Sequence, residues 1–300
     1  MGGVLITGGT GFVGSALVKR MGRRAQTLST RADADTWTTA LQGVECVVHL
    51  AARVHQVDDA AVHPLAEFRR INVEDTLNLA RRAALAGVRR FVFISSIKVN
   101  GESTRQGQPF TAADSPRPVD AYGVSKHEAE CGLHELSAQS SMEMVIIRPP
   151  LVYGPGVKAN FATMVRWLQR GVPLPLGAIH NARSLVALDN LVDLIFICID
   201  HPAAANQTFL VSDGEDVSTP ELLRRMASTM GKRARLVPVP QWILETGARL
   251  LGQPDLAQRL CGSLQLDISK TRELLGWAPP LSLDEGLGRV MLVNGETYVD

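Results

Sequence analysis

A glycine-rich run, Thr7-Gly8-Gly9-Thr10-Gly11-Phe12-Val13-Gly14, joins the β-branched segment Val4-Leu5-Ile6 to a helical pattern over 12–21, and it constrains the fold more than any other stretch. Glycines spaced GxxGxxG at a strand-to-helix junction meet three steric needs. The first permits a tight turn, the second lets backbone amides approach a pyrophosphate, and the third lets the helix pack closely. The free N–H groups and the positive end of the helix dipole then attract phosphate. Gly8, Gly11, Phe12, Val13 and Gly14 are therefore candidate dinucleotide contacts.

The chain that follows supports such a fold. Short apolar runs at 26–28, 46–50, 91–94 and 144–147 read as strands, and 65–86 and 121–137 read as amphipathic helices. Strands buried on both faces and separated by crossover helices imply an α/β, doubly wound parallel sheet of the Rossmann type. After Arg148 the chain becomes loop-rich, with Pro149-Pro150, Gly154-Pro155-Gly156 and a Val172-to-Gly177 run holding two prolines. A strand at 208–211 precedes Ser218-Thr219-Pro220-Glu221, where a hydroxyl and a proline mark a helix start. The expected division is a dinucleotide-binding domain over 1–152 plus about 184–212. A smaller α/β domain for substrate takes 153–183 and 213–300.

Bulk properties exclude several classes. The 300 residues carry 31 basic and 30 acidic side chains, a net charge of +1. That balance offers no electrostatic case for nucleic acid or an anionic membrane as partner. The pairs Arg69-Arg70, Arg81-Arg82 and Arg89-Arg90 read as solvated helix faces. Cys46, Cys131, Cys198 and Cys261 are scattered, without metal-ligand spacing, so no metal is expected. No signal peptide precedes the first strand and no apolar stretch reaches membrane-spanning length, which leads to the expectation of a cytoplasmic protein.

The second strand runs into Ser29-Thr30-Arg31 with no carboxylate at its end. An acidic residue there would bind both ribose hydroxyls of NAD, whereas a hydroxyl followed by Arg suits a 2′-phosphate. Ser29 and Arg31 thus favour NADP(H) over NAD(H). Tyr122 and Lys126, four apart in the 121–137 helix, share one face. A phenol with its ordinary pKa of about 10 is a poor base at neutral pH. A neighbouring ammonium and an oxidised nicotinamide are expected to lower it. Ser96 ends the fourth strand, at the carboxyl edge where such sheets bind ligands. Ser96, Tyr122 and Lys126 are the candidate catalytic residues, and Lys126 is also placed to bond the nicotinamide ribose.

In combination the glycine loop, His49-Leu50-Ala51-Ala52, Asn72, Ser95-Ser96, Tyr122 with Lys126, and Arg148-Pro149 through Val152-Tyr153-Gly154-Pro155 resemble the extended short-chain dehydrogenase/reductases that act on nucleotide sugars. The resemblance spans nearly the whole chain. It implies that Leu50, Ala51, Ala52, Ser95 and Pro149 line the cofactor channel, and that Asn72 is a buried backbone-bonding residue. It also implies a UDP-sugar substrate held by Asn160, Phe161, Arg183 and Arg259, and a structural role for Asp189. Gln265 falls near the position that gates the sugar's 2-substituent. A homodimer formed by pairing the 66–86 and 121–137 helices as a four-helix bundle is a further implication.

Members that eliminate water carry an Asp-Glu pair just after the strand-end hydroxyl residue. Here Ile97 and Lys98 stand there, which argues against dehydration. The run from Ser95 to Glu102 is similar to enzymes that reduce UDP-4-keto-6-deoxy-N-acetylhexosamines for surface polysaccharide. Such a 4-ketoreductase is the preferred expectation from sequence. A UDP-hexose or UDP-N-acetylhexosamine 4-epimerase with retained NAD is the alternative.

Overall fold

The computed structural model describes residues 2–30, 32–54, 64–157, 160–250, 252 and 254–295. The amino-terminal half alternates β1 (Gly3–Thr7), α1 (Phe12–Met21), β2 (Ala25–Leu28), α2 (Ala34–Ala40) and β3 (Val44–His49). It continues through α3 (Pro64–Arg69), α4 (Asp75–Leu85), β4 (Arg90–Ile94), α5 (Ala121–Ala138) and β5 (Glu143–Arg148). The remainder holds β6 (Leu151–Tyr153), α6 (Asn160–Gln169), β7 (Arg183–Ala187), α7 (Leu188–Asp200), β8 (Gln207–Leu210) and β9 (Asp216–Val217). Helices α8 (Thr219–Thr229), α9 (Gln241–Leu250), α10 (Pro254–Cys261), α11 (Ser269–Leu275) and α12 (Leu283–Gly295) complete the described elements.

Six strands pair in the order β2-β1-β3-β4-β5-β8, all parallel. This is the doubly wound sheet expected from the alternating pattern. Strand residues divide by parity between two cores. Val4, Ile6, Cys46, Val48 and Val92 face one side with α1 and α7. Leu5, Val47, Phe91, Phe93 and Met144 face the other with α4 and α5. Because both faces are covered, the inner strands have no polar face and read as continuous apolar runs, whereas the edge strand β2 leaves Gln26 and Thr27 exposed. The order reverses between β1 and β3, and the crevice beyond their carboxyl ends is where such sheets bind ligands.

A three-stranded sheet, β6-β7-β9, forms a second layer, with a separate core of residues such as Tyr153, Phe161, Leu223 and Leu287. Three free cysteines, Cys46, Cys198 and Cys261, are buried, and Cys131 is exposed.

Two details depart from the sequence reading. The helix expected over 65–86 is interrupted by a π-helical turn at Arg70–Glu74, which carries the buried Asn72. Its amide donates to Ser125 Oγ at 3.0 Å and to the Arg53 carbonyl at 3.1 Å, and its carbonyl accepts from Arg53 N at 2.8 Å. The widened turn lets that side chain reach across to α5. The second departure is Arg90, which is no solvated cation. It is 1% exposed within β4 and donates to the carbonyls of Cys198 at 2.7 Å and His201 at 2.8 Å. Glu143 pairs with it at 2.7 Å. A cation at the carboxyl end of α7 satisfies carbonyls that the helix itself leaves unbonded.

Candidate active site

The glycine loop closes on itself and on β3. Gly8 has φ +71°, and a Cβ there would lie 2.7 Å from Ala51 N. A Cβ on Gly14 would lie 2.1 Å from Gly8 O. Gly11 N donates to Gly8 O at 2.9 Å, and Gly11 begins α1 with no side-chain cap and no acidic residue in the first turn. Thr10 and Gly11 are exposed. An uncapped, anion-free helix start under an open glycine turn fits the pyrophosphate of a dinucleotide. Beneath the loop, Thr7 Oγ1 and His49 Nδ1 are 2.6 Å apart, and His49 Nε2 lies 2.9 Å from Thr76 Oγ1. Burial, with a smaller contribution from Lys126, lowers the His49 pKa to about 3, so this link is neutral. Gly14→Ala is expected to yield protein without bound dinucleotide and with a lower denaturation midpoint, because its Cβ would strike backbone. Mass spectrometry of the purified variant checks this.

At the end of β2 Ser29 is exposed, and Arg31 lies outside the described residues. Asp33 is not a ribose ligand in waiting: its carboxylate accepts from Thr36 N at 2.8 Å and caps α2. Ala51 and Ala52, half-buried beyond β3, border the loop.

Helix α5 begins at Asp120, whose Oδ1 accepts from Gly123 N at 2.6 Å. One turn separates Tyr122 from Lys126 on its inner face. The Tyr122 hydroxyl is hydrogen-bonded to Ser96. Lys126 is 2% exposed, donates to the Ile94 carbonyl at 2.8 Å and lies 4.4 Å from the Phe93 ring centre. The structure thus brings all three candidate residues together, but the electrostatics differ from expectation. Burial, reinforced by the Asp120 carboxylate, pushes Tyr122 up to about 12, and the Ser96 hydrogen bond only partly opposes it. The Lys126 ammonium is directed at Ile94 O instead of the phenol. With no cationic nicotinamide beside it, Tyr122 is held as the phenol at neutral pH.

Burial lowers Lys126 to about 7, partly opposed by Glu130. The unfolded chain keeps that lysine charged up to its ordinary 10.5, so between about 7 and 10 it binds more protons than the fold. Stability of the ligand-free protein is therefore expected to rise with pH across that window, and Lys126→Met to remove this component. Urea unfolding at stepped pH checks it.

Behind the trio lies a buried polar network. Arg148 pairs with Glu130 at 3.0 and 2.5 Å, and donates to Asn100 Oδ1 at 2.9 Å. Ser95 Oγ donates to Glu130. Ser95 was expected against the cofactor, but its hydroxyl is committed to this network and the residue is 3% exposed. Pro149 is also buried, and its carbonyl accepts from Ile97 N at 3.0 Å, fixing the turn after Ser96.

A cavity of about 400 Å³ opens from Ser96 and Tyr122 and extends to Arg183 and Arg259. Residues far apart in sequence thus share one chamber. Arg183 is half-buried and donates to the Gly262 carbonyl at 3.0 Å. No carboxylate among the described residues lies within 4.0 Å of it, and burial lowers its pKa. A desolvated guanidinium with no carboxylate in ion-pair contact among the described residues, and only the more distant Glu102 to favour its charge, is suited to an anionic ligand. Arg259, in the last turn of α10, is exposed.

Phe161 departs from the expected nucleotide contact. Its ring is 1% exposed and stacks on Tyr153 at 5.6 Å in the second core, so it is not offered to the cavity. Asn160 opens α6, and its side chain lies outside the described ones. Gln265 also turns away: its Oε1 accepts from Gly107 N at 2.7 Å and its amide donates to Asp216 at 2.8 Å. Leu264, one residue earlier, lines the chamber instead. Asp189 pairs with Arg289 at 2.8 Å. Lys98 and Glu102 also line the wall beside Ser96, a role absent from the sequence reading. Among the described residues there is no His/Cys/Asp/Glu cluster that could hold a metal, and no helix long and apolar enough to cross a membrane.

Residues 4–212 match the NAD dependent epimerase/dehydratase family. A Vibrio cholerae protein named UDP-glucose 4-epimerase is 49% identical over 303 aligned positions, covering 94% of this chain and 92% of that one. Among solved structures, the Thermotoga maritima UDP-glucose 4-epimerase with UDP-glucose superposes with TM-score 0.78 at 23% identity, covering 99% of this chain and 100% of that one. A Bordetella bronchiseptica enzyme in complex with NAD gives 0.77 at 22% identity, covering 99% and 94%. At these identities the two structures establish the fold they share with this chain.

Proposed function

This chain belongs to the NAD dependent epimerase/dehydratase family, and we propose that within it the protein is a 4-epimerase of a UDP-linked hexose. The observation that carries the reading is the 49% identity to the Vibrio cholerae UDP-glucose 4-epimerase along nearly the full length of both chains. It supports the epimerase over the 4-ketoreductase that the Ser95-to-Glu102 resemblance favoured. The chamber joining Ser96 and Tyr122 to Arg183 and Arg259 suits a long ligand with an anionic middle and a sugar end.

Gly8, Gly11 and the first turn of α1 would hold the dinucleotide at its pyrophosphate, and its nicotinamide would supply the hydride acceptor and donor for sugar C4. NAD is the cofactor favoured here over the NADP(H) read from Ser29 and Arg31, because solved structures of the same fold are in complex with NAD. Tyr122 exchanges the proton of the C4 oxygen. Ser96 holds that oxygen in line with the phenol. Lys126 braces the floor through Ile94 O and would turn to bond the cofactor's ribose. Arg183 and Arg259 bind the diphosphate. Ile97 and Lys98 offer no acid–base carboxylate pair for dehydration.

Residues 1–152 with about 184–212 form the proposed cofactor-binding unit, and the rest the sugar-nucleotide unit. A cytoplasmic homodimer joined through α4 and α5 is also proposed. The test of function is incubation of the purified protein with UDP-glucose or UDP-N-acetylglucosamine and no added cofactor, which should yield the galacto epimer. NADPH oxidation in the presence of a UDP-4-keto-6-deoxy sugar, with no epimerisation, would instead establish the reductase.

A further inference from the structure

Three charged side chains cluster beside Ser96 and Tyr122, and the acid–base chemistry leaves them without a role. Lys98 Nζ lies 2.5 Å from Asp120 Oδ2 and 2.9 Å from Glu102 Oε1. Its backbone N–H donates to Ser96 Oγ at 3.3 Å, which ties the cluster to the catalytic hydroxyl. Asp120 is held from its other side as the cap of α5, two residues before Tyr122. Lys98 and Glu102 line the chamber, and each of the three side chains is about one-third exposed. One cation against two carboxylates leaves a formal charge of −1 on this wall. Arg183, on the same chamber, lies within electrostatic range of Glu102 but forms no ion pair with it, so among the described residues the close contacts of Lys98, Glu102 and Asp120 set the charge beside Ser96.

We propose that the Lys98–Glu102–Asp120 cluster makes the sugar end of the chamber selective for an uncharged hexose and against a uronate, with Glu102 as the specificity-determining residue. This rests on the epimerase reading, which places sugar C4 at Ser96 and Tyr122. The C6 group is then two bonds from the reacting carbon and faces the neighbouring wall. A C6 hydroxyl can donate to a carboxylate oxygen of Glu102. A C6 carboxylate meets two carboxylates and an ammonium already engaged by both. Like charges brought together in a partly desolvated site repel strongly, and specificity against a near-isostere commonly rests on such repulsion. Removing the Glu102 charge would release Lys98 to pair with the uronate. Removing the Lys98 charge would leave the wall more negative.

The experiment is calorimetric titration of the purified protein with UDP, UDP-glucose and UDP-glucuronate. UDP-glucuronate is expected to bind on the order of 100-fold more weakly than UDP-glucose. Glu102→Gln should narrow that ratio to about tenfold or less, and Lys98→Met should widen it, each sugar's affinity being referred to the same variant's affinity for UDP. The opposed signs separate a charge effect from general damage, and either variant carries the test if the other does not fold. Binding of UDP with equal affinity for the two sugars, or a ratio unmoved by both variants, overturns the proposal and leaves the epimerase reading standing. Failure of UDP itself to bind overturns both.

Discussion

Tyr122→Phe is expected to lower kcat about a thousandfold while leaving the fold, bound cofactor and KM for UDP-sugar near wild type, in line with the ~10²–10⁴-fold typical of a positioned acid–base group. The substitution removes one hydroxyl and keeps the ring, whose edge-on contact with Phe68 at 6.0 Å does not involve the oxygen. Nothing nearby replaces it. Lys126 is directed at Ile94 O, and among the described residues Ser96 meets Lys98 N and Tyr122 but no base. Steady-state kinetics of the variant, with circular dichroism as control, check this. A kcat within threefold of wild type would remove Tyr122 from the chemistry.

Glu130→Gln should be the most destabilising conservative change in the site region. Arg148 and Glu130 have side chains 6% and 3% exposed, so neither charge is solvated if the other is lost. Breaking a buried pair from one side typically costs about 3–5 kcal/mol, far more than the pair contributes net. Urea unfolding should show a loss of that order. A Glu130→Leu/Arg148→Met double variant should recover much of it, since a packed apolar pair avoids the desolvation penalty. Glu130 also favours the charged form of Lys126, so the single variant should depress the Lys126 pKa further. A single variant as stable as wild type would contradict this account of the network.

What was legible in the sequence was local. The glycine loop, the parallel strands and the Tyr122–Lys126 spacing each follow from a period or a turn rule that acts over a few residues. Ser96 was legible because strand ends at the carboxyl edge have a fixed relation to ligands. Contacts between distant segments were not legible. Arg90 sits beside Arg89 in sequence, yet its environment is set by the end of α7, more than a hundred residues later. Phe161 and Gln265 carry the right residue types near the right places, but the phase of α6 turns Phe161 into the second core, and in the extended segment bridged at Leu264 and Leu266 it is Leu264 that lines the chamber. The sign of the Tyr122 shift also escaped, because spacing shows the ammonium nearby but not the desolvation or Asp120. Lys98 read only as an absent dehydratase carboxylate, since its partner Asp120 lies twenty-two positions away.

The central claim is that hydride leaves sugar C4 and returns to the same carbon without leaving the protein. The direct test uses UDP-glucose deuterated at C4 with the protein as purified, no cofactor added, and mass spectrometry of the galacto product. The account predicts that the product keeps its deuterium at C4 and that the protein carries NAD throughout. Deuterium lost to solvent, or turnover that stops unless NADPH is supplied, would contradict it.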